Sequence, residues 1–160
     1  MLMPEGLLEI HERTHRNLRN CLAFCGELDA DAIDRKMPEF NGTTIRLQLH
    51  HAIGAERYWV GVLQGRIDAD EDDHLYPTLA AVEQFRHATF EATRKYVTNA
   101  SLEELNTARP MKTWHGEEPM LYPGHVVMRT ITHIYHHMGQ VGSMLRLLGR
   151  ESPGFNYPIN

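Results

Sequence analysis

His133 and His137 stand four residues apart in an apolar-periodic stretch from about Tyr122 to Leu148. At that spacing two imidazoles share one helix face, with Cβ atoms roughly 5–6 Å apart, and can converge on one small cation. Such a pair needs a third donor. The best candidate is His51, which follows His50 and opens the run His51-Ala-Ile-Gly-Ala-Glu-Arg-Tyr-Trp59 in another periodic stretch. Three neutral imidazoles suit zinc, nickel, copper or iron, zinc or nickel foremost, and leave a divalent ion its full charge and open positions. A thiol or water bound at such an ion has a strongly lowered pKa, so thiolate or hydroxide forms near neutral pH. A histidine pair alone is more often a hydrogen-bonded part of a core, so the weight rests on the third donor and on context.

Four long helices are expected to position these rings. The first runs from about Pro4, a favoured start, to Leu28, with Leu8, His11, His15, Leu18, Leu22 and Cys25 on one stripe. The second opens at Thr43 or Thr44, carries Ile45, Leu49, Ala52, Ala55, Trp59 and Leu63, and stops at Gly65. The third spans about Thr78 to Asn99, with Leu79, Val82, Phe85, Thr89 and Tyr96 at repeating positions; Ser101-Leu-Glu-Glu104 reads as a capping box for a short extra helix. A long connection from Arg109 to Pro123 has the length of a functional loop such as a lid. The fourth helix ends at Gly149. With no strand periodicity, the expectation is an all-α, antiparallel four-helix bundle over residues 1–150 with a tail at 151–160, an architecture that builds metal sites between facing helices.

Composition narrows the function. The chain has 160 residues, enough for one domain with a sizeable core, and 42% of them are hydrophobic. Sixteen Lys and Arg against 21 Asp and Glu give a formal charge of −5, which disfavours a phosphate backbone, so no nucleic-acid partner is expected. The N-terminus has no leader-like pattern and no run approaches a membrane span, so the expected location is the cytoplasm, with no membrane partner. Cys21 and Cys25 continue the inward stripe of the first helix and read as small core residues.

Two segments together carry a family resemblance. Thr44-Ile-Arg-Leu-Gln-Leu-His-His51-Ala-Ile-Gly-Ala-Glu56-Arg-Tyr-Trp59 resembles the second-helix signature of the DinB/YfiT-like superfamily, in which a histidine precedes a Glu and then a Trp. His133-Ile-Tyr-His136-His137-Met-Gly139-Gln140, continued by Leu145-Arg-Leu-Leu-Gly149, resembles that family's histidine-rich motif in the last helix. The resemblance covers nearly the whole chain in helix order and length. It implies a four-helix bundle in which His51, His133 and His137 ligate a divalent metal. The spacing to Glu56 and Trp59 selects His51 over His50, and residues one apart point about 100° away from each other on a helix, which also sets His136 aside. Where family members often carry Arg, this chain has Met138, a departure expected to alter partner or substrate contacts. Gly139 and Gly142 lower helix propensity by roughly 1 kcal/mol each, which implies close approach of a neighbouring helix.

Other motifs compete. His11-Glu-Arg-Thr-His15 matches the zinc-protease pattern His-Glu-x-x-His, but Arg13 and Arg16 set cations beside the pair and no third ligand is evident. The two histidines are expected instead to line the interior near a polar cavity. Trp114, His115 and Tyr122 of the long connection either overhang the site or serve as packing plugs, as exposed loop aromatics equally often do, and Trp114, Tyr58 and Gln140 are among the expected pocket lining. Glu56, about 140° around the helix from His51, is expected to serve packing or an ion pair. Asp68-Ala-Asp70-Glu-Asp72 is similar to a calcium loop but has Asp73 at the sixth position and Leu79 at the twelfth, so it reads as a solvated loop.

The resemblance implies metal-dependent enzymes, several of which use bacillithiol, mycothiol or glutathione. The leading expectation is a transferase that activates a low-molecular-weight thiol toward a small-molecule electrophile. A metal-dependent hydrolase and a non-enzymatic metal- or ligand-binding bundle are the alternatives. Homodimerisation is expected from the family and from the abundant apolar surface.

Overall fold

The computed structural model describes residues 1–67, 72–114 and 116–159. The calcium-like segment 68–71 and His115 therefore lie outside the described residues.

Among the described residues six α-helices form, four of them long. Helix α1, Pro4–Cys25, starts on a proline at its first turn. It stops short of Leu28 because Glu27 and Leu28 donate to carbonyls three residues back, Phe24 and Cys25, which tightens the end into a turn. A four-residue helix, α2 (Ala30–Ile33), follows, capped by Asp29; it is too short to leave a periodic pattern. Helix α3, Ile45–Leu63, begins where the Thr44 hydroxyl accepts the Leu47 N–H. It ends in a Schellman turn, with Arg66 N–H donating to the Gly61 carbonyl and Gly65 at φ +72°. Helix α4 (Leu79–Asn99) is capped by Thr78 and α5 (Leu102–Asn106) by Ser101. Helix α6, Pro123–Leu147, closes on a second Schellman turn, Arg150 N–H to Leu145 carbonyl, with Gly149 at φ +71°.

The four long helices form a bundle in which α1 packs on α4 and α6, and α3 packs on the same two. Helices α1 and α3 thus face each other across the diagonal. The core divides in two. One apolar cluster gathers Leu18, Cys21, Cys25, Leu49, Ile53, Phe85, Ile134 and Met138; the other gathers Leu7, Val62, Val97, Leu105, Met111, Val127 and Ile131. Between them along the helices lie buried His11 and His15 of α1, Glu56 of α3, and Thr89 and Thr93 of α4. Leu7, one position before the expected Leu8, is the buried leucine of the first turn, and Met138 is fully buried, so its side chain is core and touches no substrate space.

The long connection is no free lid. Arg109–Pro110 and Met120–Leu121 pair as a short antiparallel ladder, β1 and β2. Met111 is buried in the core beneath it, and the Trp114 N–H donates to the Tyr58 hydroxyl at 3.1 Å. The C-terminal tail also docks. Phe155 packs on the core, the Asn17 amide donates to the Asn156 carbonyl at 2.9 Å, and Ser152 crowds Gly142, where an added Cβ would lie 2.9 Å from its hydroxyl. The tail, not a helix, makes the close approach at Gly142, and nothing lies near Gly139. No helix among the described residues is long and apolar enough to cross a membrane.

Candidate metal centre

Helix α3 presents His51, and α6 presents His133 and His137, across their shared seam. The His133 and His137 Nε2 atoms are 3.0 Å apart. The His51 ring centroid lies 5.4 Å from that of His133 and 4.8 Å from that of His137. One ring nitrogen from each lies within 4.8 Å of the others, and burial grades from exposed His51 to buried His137. Burial first, then the charge of His51 and Arg129, pushes His133 down to about 4. Burial first, then His133 and His51, does the same for His137. Both rings are therefore neutral at physiological pH, the form that donates to a metal. The donor set fits a divalent cation: three imidazoles, a nitrogen pair already at the spacing of ligands around a shared ion, and one side open to solvent.

Adjacent histidines turn elsewhere, as a 100° step requires. His50 is buried between Tyr76 and Phe85, with ring centroids 5.0 and 5.4 Å away. His136 is exposed, its Nε2 3.1 Å from the Gln140 amide nitrogen. Gln48 of α3 donates to the Gln140 carbonyl oxygen, tying the two helices together beside the histidines. A pocket of about 670 Å³ opens here, lined by Asn41, Thr43, Gln48, His51, His137 and Gln140 among others, with Glu39 and Asp73 also on its wall. Of the expected lining residues Gln140 is present. His11, His15, Tyr58 and Trp114 are not.

Those four have other places. Tyr58 and Trp114 pack with ring centroids 4.6 Å apart and planes tilted by 52°, fastening the hairpin to α3. His11 and His15 bind Glu56. His11 Nε2 is 2.7 Å from Oε1 and His15 Nε2 is 2.8 Å from Oε2, all three residues buried. The third partner that the local sequence around this pair does not reveal is Glu56, with the Thr93 hydroxyl donating to the same carboxylate at 2.6 Å. Arg86, not Arg13 or Arg16, is the cation beside them, its guanidinium 3.3 Å from His15 Nδ1. An arginine nitrogen only donates, so His15 Nδ1 accepts and its Nε2 carries the proton given to Glu56. Burial alone would raise the Glu56 carboxyl, but the two histidines outweigh it by charge and hydrogen bonding and hold it well below the ordinary glutamate range. Burial lowers His15 despite Glu56. Arg86 and Thr93 were not among the expected site residues, and the available signal is their spacing with Thr89 on the inward face of α4.

A helical bundle with three convergent histidines on two helices is thus the class of protein the structure defines. The sequence matches the model of the DinB family over residues 3–160, and the chain belongs to that family. No curated protein matches it.

Proposed function

We propose that this DinB-family protein is a metal-dependent transferase that conjugates a low-molecular-weight thiol to a small electrophile. In the reaction a sulfur–carbon bond forms, the leaving group departs with the electron pair of the bond that breaks, and the thiol proton goes to solvent. The observation that carries the reading is the all-imidazole donor set at the head of a polar pocket. Among the described residues no carboxylate shares the three-histidine cluster, so a bound divalent ion would keep its full charge and supply acidity to a thiol or water. His51, His133 and His137 would hold that ion. Asn41, Thr43, Gln48 and Gln140 offer donors and acceptors suited to a polar, peptide-like or sugar-like thiol. The Gln48–Gln140 link fixes the amide orientations against α6.

The test is direct. Zinc-loaded protein is incubated with glutathione, bacillithiol or mycothiol and an aryl halide electrophile, and conjugate is followed by absorbance and mass. Conjugation above the zinc-only rate, abolished in His137→Ala, supports the transferase. Cleavage of an activated ester without any thiol would replace it with a hydrolase. Tight metal binding without turnover of either substrate would leave a binding protein.

A further inference from the structure

Helices α3 and α6 run antiparallel, so His51 faces His133 and His137 while Trp59, two turns further along α3, comes beside Arg129, one turn before His133 on α6. The Arg129 guanidinium carbon lies 5.4 Å from the Trp59 ring centroid. Here a second pocket of about 200 Å³ opens, walled by Trp59, Met120, Leu121, Tyr122 and Val126, with the His125 imidazole and Arg129 also lining it. Its wall includes β2 of the hairpin, so the long connection shapes a cavity on the seam that carries the three histidines. The two pockets differ in chemistry. The larger is rich in amides and carboxylates; the smaller is mostly aromatic and aliphatic, with the Arg129 guanidinium and the His125 imidazole as its polar groups.

We propose that this second pocket binds an apolar carboxylate, an aryl or short acyl group whose carboxylate pairs with Arg129. Its size fits: a cavity of roughly 150 Å³ accepts a benzene ring. Its charge fits too, because among the described residues no ion pair engages Arg129, and a guanidinium takes a carboxylate in a two-pronged hydrogen bond. Arg129 stands one helical turn, roughly 5.4 Å, before His133 along α6, so the pocket neighbours the histidine cluster on the same seam. If the thiol-transfer reading holds, the occupant is the electrophile; this last assignment rests on that reading, whereas binding of the carboxylate does not.

The experiment titrates para-(trifluoromethyl)benzoate and the matching benzyl alcohol into the full chain, with and without zinc, and reads fluorine NMR. The expected result is saturable binding of the benzoate in both metal states, stronger than that of the alcohol. Arg129→Gln should weaken the benzoate about tenfold and leave the alcohol unchanged. Met120→Glu, at a position 62% exposed, should also weaken it by placing a like charge in the wall. His137→Ala should leave benzoate binding intact. No saturable binding, equal affinity for the two probes, indifference to both pocket variants, or loss in His137→Ala would each overturn the proposal. Failure of thiol conjugation alone, with benzoate binding as expected, would overturn only the transferase reading.

Discussion

Two histidine clusters in this bundle start from the same materials. Each takes two histidines four apart on one helix and a third group from α3, yet their physical chemistry is opposite. On α6 the rings face a solvent-lit seam, lie beside no carboxylate of their own cluster, and present Nε2 atoms 3.0 Å apart. On α1 the rings are sealed, donate Nε2–H to Glu56, and one receives Arg86 on its other nitrogen. A metal on His15 Nε2 would require a proton on Nδ1, pointed at a guanidinium that has only protons to offer. The helical spacing is common to both. Whether it makes a ligand set or a structural tie is decided by what meets the second nitrogen and by access to solvent.

The comparison can be broken most sharply at His137. His137→Ala is expected to lower zinc affinity by about 100-fold or more, on the order of 3 kcal/mol, measured by calorimetric titration of the apo-protein. His136→Ala should change it little. A second equivalent of tightly bound metal per chain by elemental analysis, lost in His15→Ala and kept in His74→Ala, would show that the α1 cluster also serves as a ligand set, since Asp72, Asp73 and His74 form a third group of possible ligands.

The next effect is on stability. Glu56→Gln presents an amide donor to histidine N–H groups in a sealed layer, and should lower unfolding free energy by about 3 kcal/mol. Urea denaturation measures the loss. Metal stoichiometry should be unchanged, since His51 lies on another face of α3. A variant that folds as well as the parent would remove the structural tie from the account.

Acid sharpens the contrast. His15, His133 and His137 are lowered in the fold, and so is Glu56; a group lowered on folding favours the native state above its unfolded value, an advantage withdrawn as pH falls, so the histidine stage belongs to both clusters and the carboxylate stage to the α1 layer alone. Stability should therefore be full above the ordinary histidine value of 6.5, decline below it, and decline further below the ordinary glutamate value of 4.5. The midpoint of urea unfolding against pH should show both stages, and Glu56→Gln should lose the lower one. The smallest effect is a gain: Gly139→Ala, with nothing within 4 Å of the added carbon, should stabilise the helix by about 0.5–1 kcal/mol.

The long helices were legible because their caps and apolar periods are local: Thr44, Thr78 and Ser101 each cap as their positions imply. The three-histidine grouping was legible because spacing on α6 and the family motif on α3 agree. The α1–Glu56 layer was not. Its partners are 41 and 45 residues apart in sequence, and a charged residue on a helix gives no local sign that it will cross the bundle diagonal. Likewise the β1–β2 ladder spans two residues per strand, too few for an alternating pattern to emerge, and the docking of the tail depends on Gly142 leaving room for Ser152.

The polar layer has one further consequence. Oily seams are forgiving, and rods packed by them can slip a full turn past one another while keeping most of their burial. A slip of α1 by about 5.4 Å against α3 would bring Leu7 or Leu18 opposite the Glu56 anion. That misalignment is penalised at a single point, so one carboxylate acts as the notch that indexes α1 against α3.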